Sequence, residues 1–153
     1  MKCKFCEDLG AAKAINYNKG NFSEELLKLT DNKGVDVILD MIGGDYTPLN
    51  IKCLATEGRL VNINSMKGKN VTIDLAEVMR KRINITGSML RSRDAAFKSA
   101  IAQKLETHIW PLLASGKIKS VIYKVFAADE AAKAHELMES SAHMGKIILQ
   151  FTK

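Results

Sequence analysis

Short apolar runs alternate with helical patterns along the whole of this 153-residue chain, and no other feature limits its fold as much. Strands separated by helices pair in parallel, so the alternation predicts an α/β architecture: part of a parallel sheet flanked by helices, followed by a C-terminal helix-strand extension. Residues 13–17 read as a short strand. Asn21 offers an N-cap with Glu24 three residues on, and Phe22, Leu26 and Leu29 share one helical face. Residues 35–42 are the clearest buried strand, nearly all branched apolar residues apart from Asp36 and Asp40, and Gly43 with Gly44 ends it. Thr47 and Pro48 have the cap and first-turn proline of a helix start. A strand at 58–64 follows, then a short helix capped by Asp74, then a strand at 83–90. Asp94 opens a long helical stretch interrupted at Trp110 and Pro111. A strand at 121–126, a helix capped by Asp129 and a strand at 146–151 complete the order. No linker rich in Pro, Gly or Ser breaks the chain, which predicts one compact unit.

The chemistry that is absent narrows the function. The net charge of +6 comes from 23 basic and 17 acidic residues, most of them scattered, with clusters at Arg80-Lys81-Arg82 and at Arg91 and Arg93. No aromatic-rich recognition motif accompanies them, so a solvated face is expected and no nucleic-acid partner. The apolar runs are too short to cross a bilayer, and no apolar leader follows Met1, so no membrane association and a cytoplasmic location are expected. Cys3, Cys6 and Cys53 are odd in number and read as free thiols; Cys3-x-x-Cys6 has no second pair to complete a metal site, so no metal is expected. The ten glycines never fall in the G-x-G-x-x-G spacing that lets a backbone approach a pyrophosphate, and no P-loop or G-x-S-x-G occurs. His108, His135 and His143 show no metal-ligand spacing. No catalytic residue is assigned.

A resemblance enters through wording spread over the chain. The strings Leu9-Gly-Ala-Ala, Ala14-Ile-Asn-Tyr17, Gly34-Val-Asp-Val-Ile-Leu-Asp-Met-Ile-Gly-Gly44, Gly58-Arg-Leu-Val, Ile85-Thr-Gly-Ser-Met-Leu-Arg-Ser-Arg93 and Gly145-Lys-Ile-Ile-Leu149 resemble, in order and spacing, the zeta-crystallin-like NAD(P)H:quinone oxidoreductases, zinc-free members of the medium-chain dehydrogenase/reductase superfamily. The resemblance implies that Met1 falls after the second strand of a Rossmann coenzyme domain. Residues 1–92 would then be the C-terminal part of that domain, a partial Rossmann-type sheet, and residues 93–153 the segment that returns to a GroES-like catalytic domain. The first half of such an enzyme, with its substrate cleft and glycine fingerprint, would be missing.

What remains is the far side of an NADPH site. The resemblance assigns Lys2 and Tyr17 to the adenosine 2'-phosphate, Gly43 to the passage beside the ribose, and Ile63 and Asn64 to the turn near the nicotinamide. It assigns Ser88, Met89 and Leu90 to the next such turn, and His143 to a late position on the cofactor side. The implied reaction is NADPH-dependent hydride transfer to a quinone or enone, and the chain alone is expected to be inactive and to bind NADPH weakly or not at all. A homo-oligomer is also expected, a dimer through the strand at 83–90, with a quinone as substrate only if the missing half is supplied. Alternatives are a non-enzymatic interaction module or one half of a split oxidoreductase.

Overall fold

The computed structural model describes residues 1–151. It divides into two compact units, residues 1–93 and 94–153. The first begins with α1 (Lys2–Asp8), α2 (Phe22–Leu29) and β1 (Val35–Asp40), and continues with α3 (Tyr46–Cys53), β2 (Leu54–Asn62), α4 (Leu75–Lys81) and β3 (Asn84–Gly87). Its three strands form a parallel sheet in the order β1-β2-β3. The second unit holds α5 (Ala95–His108), α6 (Trp110–Ala114), β4 (Ile122–Ala127), α7 (Ala131–Glu139) and β5 (Lys146–Gln150), with β4 and β5 parallel and α7 packed on them. The α/β class and the parallel pairing agree with the sequence. No helix among the described residues is long and apolar enough to cross a membrane.

Three of the expected caps form as read. The Asn21 carboxamide accepts from the backbone N–H of Ser23 at 3.1 Å, the Asp74 carboxylate from that of Ala76 at 2.9 Å, and the Asp94 carboxylate from that of Phe97 at 2.8 Å. Four expectations are corrected. Residues 13–17 form no strand, because a strand needs a ladder neighbour and this segment pairs with none among the described residues; the Ala14 N–H donates instead to the Glu7 carboxylate at 3.1 Å. Leu29 is 53% exposed, since α2 packs on α3 through its first turn, where Phe22 stacks on Tyr46 at 5.3 Å. Thr47 is buried inside α3 rather than capping it: the carbonyls of Gly43 and Gly44 take the N–H groups of Tyr46 and Thr47, so the helix starts two residues early. Asp129 makes no cap bond; the chain enters α7 through a single 3-10 turn, Ala128–Glu130.

The core of the first unit is Ile51, Leu54, Leu60 and Ile83, with Ile38, Ile73 and Val78 packed against it. Register places Ile38 and Leu60 on the sheet face beneath α3 and α4. The opposite face carries Val37 and Leu39 of β1, Arg59 and Val61 of β2, and Asn84 and Thr86 of β3. This face is open: Val37 is 57% and Leu39 64% exposed. The near-continuous apolar run at 35–42 therefore reads as buried on both faces, but only one is covered. Between α3 and α4, the Lys81 ammonium donates to the carbonyls of Ile51, Lys52 and Leu54 at 3.2, 2.9 and 2.9 Å, capping α3 from a distance. The Cys53 thiol lies beneath this cap, and burial pushes its pKa up, partly offset by the Lys81 charge.

Candidate functional site

In open α/β sheets ligands sit beyond the carboxyl ends of the strands. The ends of β1, β2 and β3 open here on a cavity of about 930 Å³. Its first wall is the turn after β1. Asp40, 4% exposed, ends the strand, and its carboxylate accepts from the N–H of Ile42 at 2.7 Å and, through both oxygens, from the N–H of Gly43 at 3.2 Å. This folds the chain back so tightly that Gly43 and Gly44 both take left-handed backbone angles.

A second wall follows β2. The Ile63 N–H donates to the Asp40 carbonyl at 2.8 Å and the Lys67 N–H to that of Ile42 at 2.8 Å, which ties the loop at 63–68 to the turn at 40–44. A methyl group added at Gly43 would meet Ser65 and the Gly68 carbonyl at 3.0 to 3.1 Å, so the space this glycine leaves is taken by the chain's own loop. The third wall follows β3, where the Ser88 N–H donates to the Asn62 carbonyl at 3.0 Å and Asn62 Nδ2 to the Thr86 carbonyl at 3.2 Å.

Of the residues read from the sequence, Gly43, Ile63, Asn64, Ser88 and Met89 line this cavity. Leu90 follows Met89 but is not among the lining residues. Lys2 lies exposed on α1. Tyr17, 62% exposed, sets its ring edge-on to Tyr46 at 6.4 Å, one residue from the lining Thr47. His143 belongs to the second unit, where it packs edge-on against Tyr123 at 6.4 Å; its Nδ1 is buried with no hydrogen-bond partner among the described residues.

Sequence reasoning missed Lys69, Ser92 and Arg93, which also line the cavity. Arg93 closes the string Ile85 to Arg93 and so carried a signal; Lys69 stands in an unpatterned loop and carried none. No acidic residue lines the cavity among the described residues. Two cations with hydroxyls, two carboxamides and an apolar floor suit a ligand that is anionic at one end and flat or apolar at the other.

A family model described as zinc-binding dehydrogenase matches residues 9–149. The chain is 28% identical to a zinc-type alcohol dehydrogenase-like protein of Schizosaccharomyces pombe, across 97% of this chain and 42% of that protein. It is 27% identical to a quinone oxidoreductase of Pseudomonas aeruginosa, across 97% of this chain and 45% of that protein. Among solved structures, an NAD-dependent alcohol dehydrogenase superposes with a TM-score of 0.79 at 30% identity, covering 99% of this chain and 41% of its own. This chain thus spans less than half the length of these relatives. Zinc does not fit the residues present. Cys3 and Cys6 lie on α1 while Cys53 is buried, and no group of three or more His, Cys, Asp or Glu that could hold a metal ion comes together among the described residues.

Proposed function

The chain belongs to the family of zinc-binding dehydrogenases, where it corresponds to the C-terminal half of the quinone oxidoreductase-like members, and on that premise we propose that it forms the nicotinamide-side wall of an NADPH-dependent quinone oxidoreductase. The observation that carries the reading is the convergence of three parallel strand ends on one cavity lined by Gly43, Ile63, Asn64, Ser88 and Met89. NADPH, when bound, supplies the hydride. The carboxamide of Asn64 and the hydroxyl of Ser88 are suited to orient a polar ring substituent, while Ile63 and Met89 exclude water from it. Lys69 and Arg93 offer charge to the phosphates, and Lys2 with Tyr17 to the 2'-phosphate.

The chain by itself should neither turn over nor bind tightly. Its glycines nowhere form the turn that would cradle the pyrophosphate, and exposed ion pairs contribute only about 0 to 1 kcal/mol each. We expect no NADPH-dependent quinone reduction by the purified chain, and a dissociation constant for NADPH near the millimolar range by calorimetry. A micromolar constant, or turnover that copurifies with the chain, would sink this reading.

A second reading, a module that pairs copies of the chain, draws on the open edge of β3, all four of whose residues are exposed. On it the chain is a dimer joined along 83–90. Light scattering at micromolar concentration should give twice the monomer mass, and Leu90→Asp should restore the monomer; a wild-type monomer refutes this reading.

A further inference from the structure

The cavity at the strand ends carries an excess of positive charge. Lys69 reaches it from the loop after β2 and Arg93 from the loop after β3. No acidic residue lines it among the described residues, and Lys69 enters no salt bridge among them. Two like charges facing one cavity repel each other, and an anion bound there offsets that cost. Val71, Ile73 and Ile85 make other parts of the lining apolar, so the anion should carry a flat or apolar body. The two cations also follow the turns at Ile63-Asn64 and Ser88-Met89, which the reading above gives to the nicotinamide. Hydride transfer needs its acceptor within about 3 to 3.5 Å of the donor ring, so the acceptor must share this charged end of the cavity.

We propose that this site also takes α,β-unsaturated carboxylates, with Lys69 and Arg93 holding the carboxylate, a proposal that rests on the reductase reading above. In the reaction a hydride from NADPH adds to the β-carbon, the alkene pair moves into the carboxylate as an enolate dianion, and water protonates the α-carbon. The products are the saturated acid, NADP+ and hydroxide. The acceptor's negative charge thus rises from one to two during the transfer, whereas that of a quinone rises from none to one. A quinone needs a single donor at the oxygen that becomes charged, and Ser88 or Asn64 offers one. Two cations exceed that need, and they match an acceptor whose charge doubles as it reacts. An arginine fork and a lysine ammonium are also the side chains that pair best with a carboxylate.

The test is an NMR titration of the full chain with trans-cinnamate, using cinnamamide as the uncharged probe of the same shape. Cinnamate should shift the Asn64, Ser88 and Met89 amides and bind about tenfold more tightly than cinnamamide. Lys69→Ala and Arg93→Ala should each weaken cinnamate about threefold and leave cinnamamide unchanged. Lys69→Arg keeps the charge and should bind cinnamate as the wild type does. Salt at about 1 M should erase the preference. The proposal is overturned if the two probes bind alike, if neither binds, or if the alanine variants keep the full preference. It is also overturned if methyl phosphate, which has almost no apolar part, binds as tightly as cinnamate and shifts the same amides, because the cations then serve phosphate alone. NADPH is titrated separately. If it leaves Asn64 and Ser88 unshifted while cinnamate keeps its dependence on both cations, the carboxylate site stands and the reductase reading falls. NADPH shifts at those amides without any preference for cinnamate keep that reading and remove the proposal.

Discussion

Gly34→Ala should cost about 3 kcal/mol or more and lower the melting temperature of the first unit by roughly 12 to 24 °C. Gly34 precedes β1 with φ +80°, and a methyl group there would run into the Cys53 carbonyl and approach Leu54 C at 2.8 Å and Ala55 N at 2.9 Å. All three are backbone atoms at the junction of α3 and β2, held by the ladder and by Lys81, so they cannot turn aside as a flexible side chain would. Left-handed strain accounts for about 1 to 2 kcal/mol and overpacking for the rest. Gly10→Ala separates the two effects. Gly10 has φ +106° and nothing within 4 Å of the added methyl, so it should show the strain alone. Equal losses from the two substitutions, read from thermal melts, would dismiss the clash.

Asp40→Ala should be the most damaging single change to the cavity itself. It leaves the buried N–H of Gly43 and the part-buried N–H of Ile42 without their acceptor, at about 1 to 3 kcal/mol for each donor left unmade. Asp40→Asn keeps one acceptor oxygen and should lose about half as much. The turn at 40–44 also anchors the loop at 63–68, so the loss should spread to Ile63 and Lys67. Urea midpoints give the energies, and hydrogen exchange at the Gly43, Ile63 and Lys67 amides reports the spread. An alanine variant as stable as the asparagine one, with protection at Lys67 unchanged, would show that the carboxylate does not hold the turn.

The architecture was legible where local chemistry sufficed. β1 announced itself by branched apolar residues, and Asn21, Asp74 and Asp94 by the fit of a short acceptor to unpaired N–H groups. Thr47 misled because its pattern is a good cap while the two preceding carbonyls do that work from the backbone, where no side chain records it. Val37 and Leu39 misled for a different reason. Consecutive apolar side chains give a strand two apolar faces, and the described residues cover only one of them. The cavity was half legible. Strand-end residues such as Asn64 and Ser88 follow from the resemblance, but Lys69 reaches the same space from a loop whose path depends on tertiary contacts rather than on any local pattern.

Lys81 adds a consequence in time rather than in space. Its ammonium holds carbonyls 27 to 30 residues earlier in the chain, so the last turn of α3 is finished by a group synthesised long after it. Until α4 arrives, the Leu54 N–H on the Ile51 carbonyl holds the helix end without the Lys81 donor. When α4 leaves, it takes the cap with it. The two helices should thus open and close together, joined by the Lys81 ammonium and by the core that Ile51 and Val78 share.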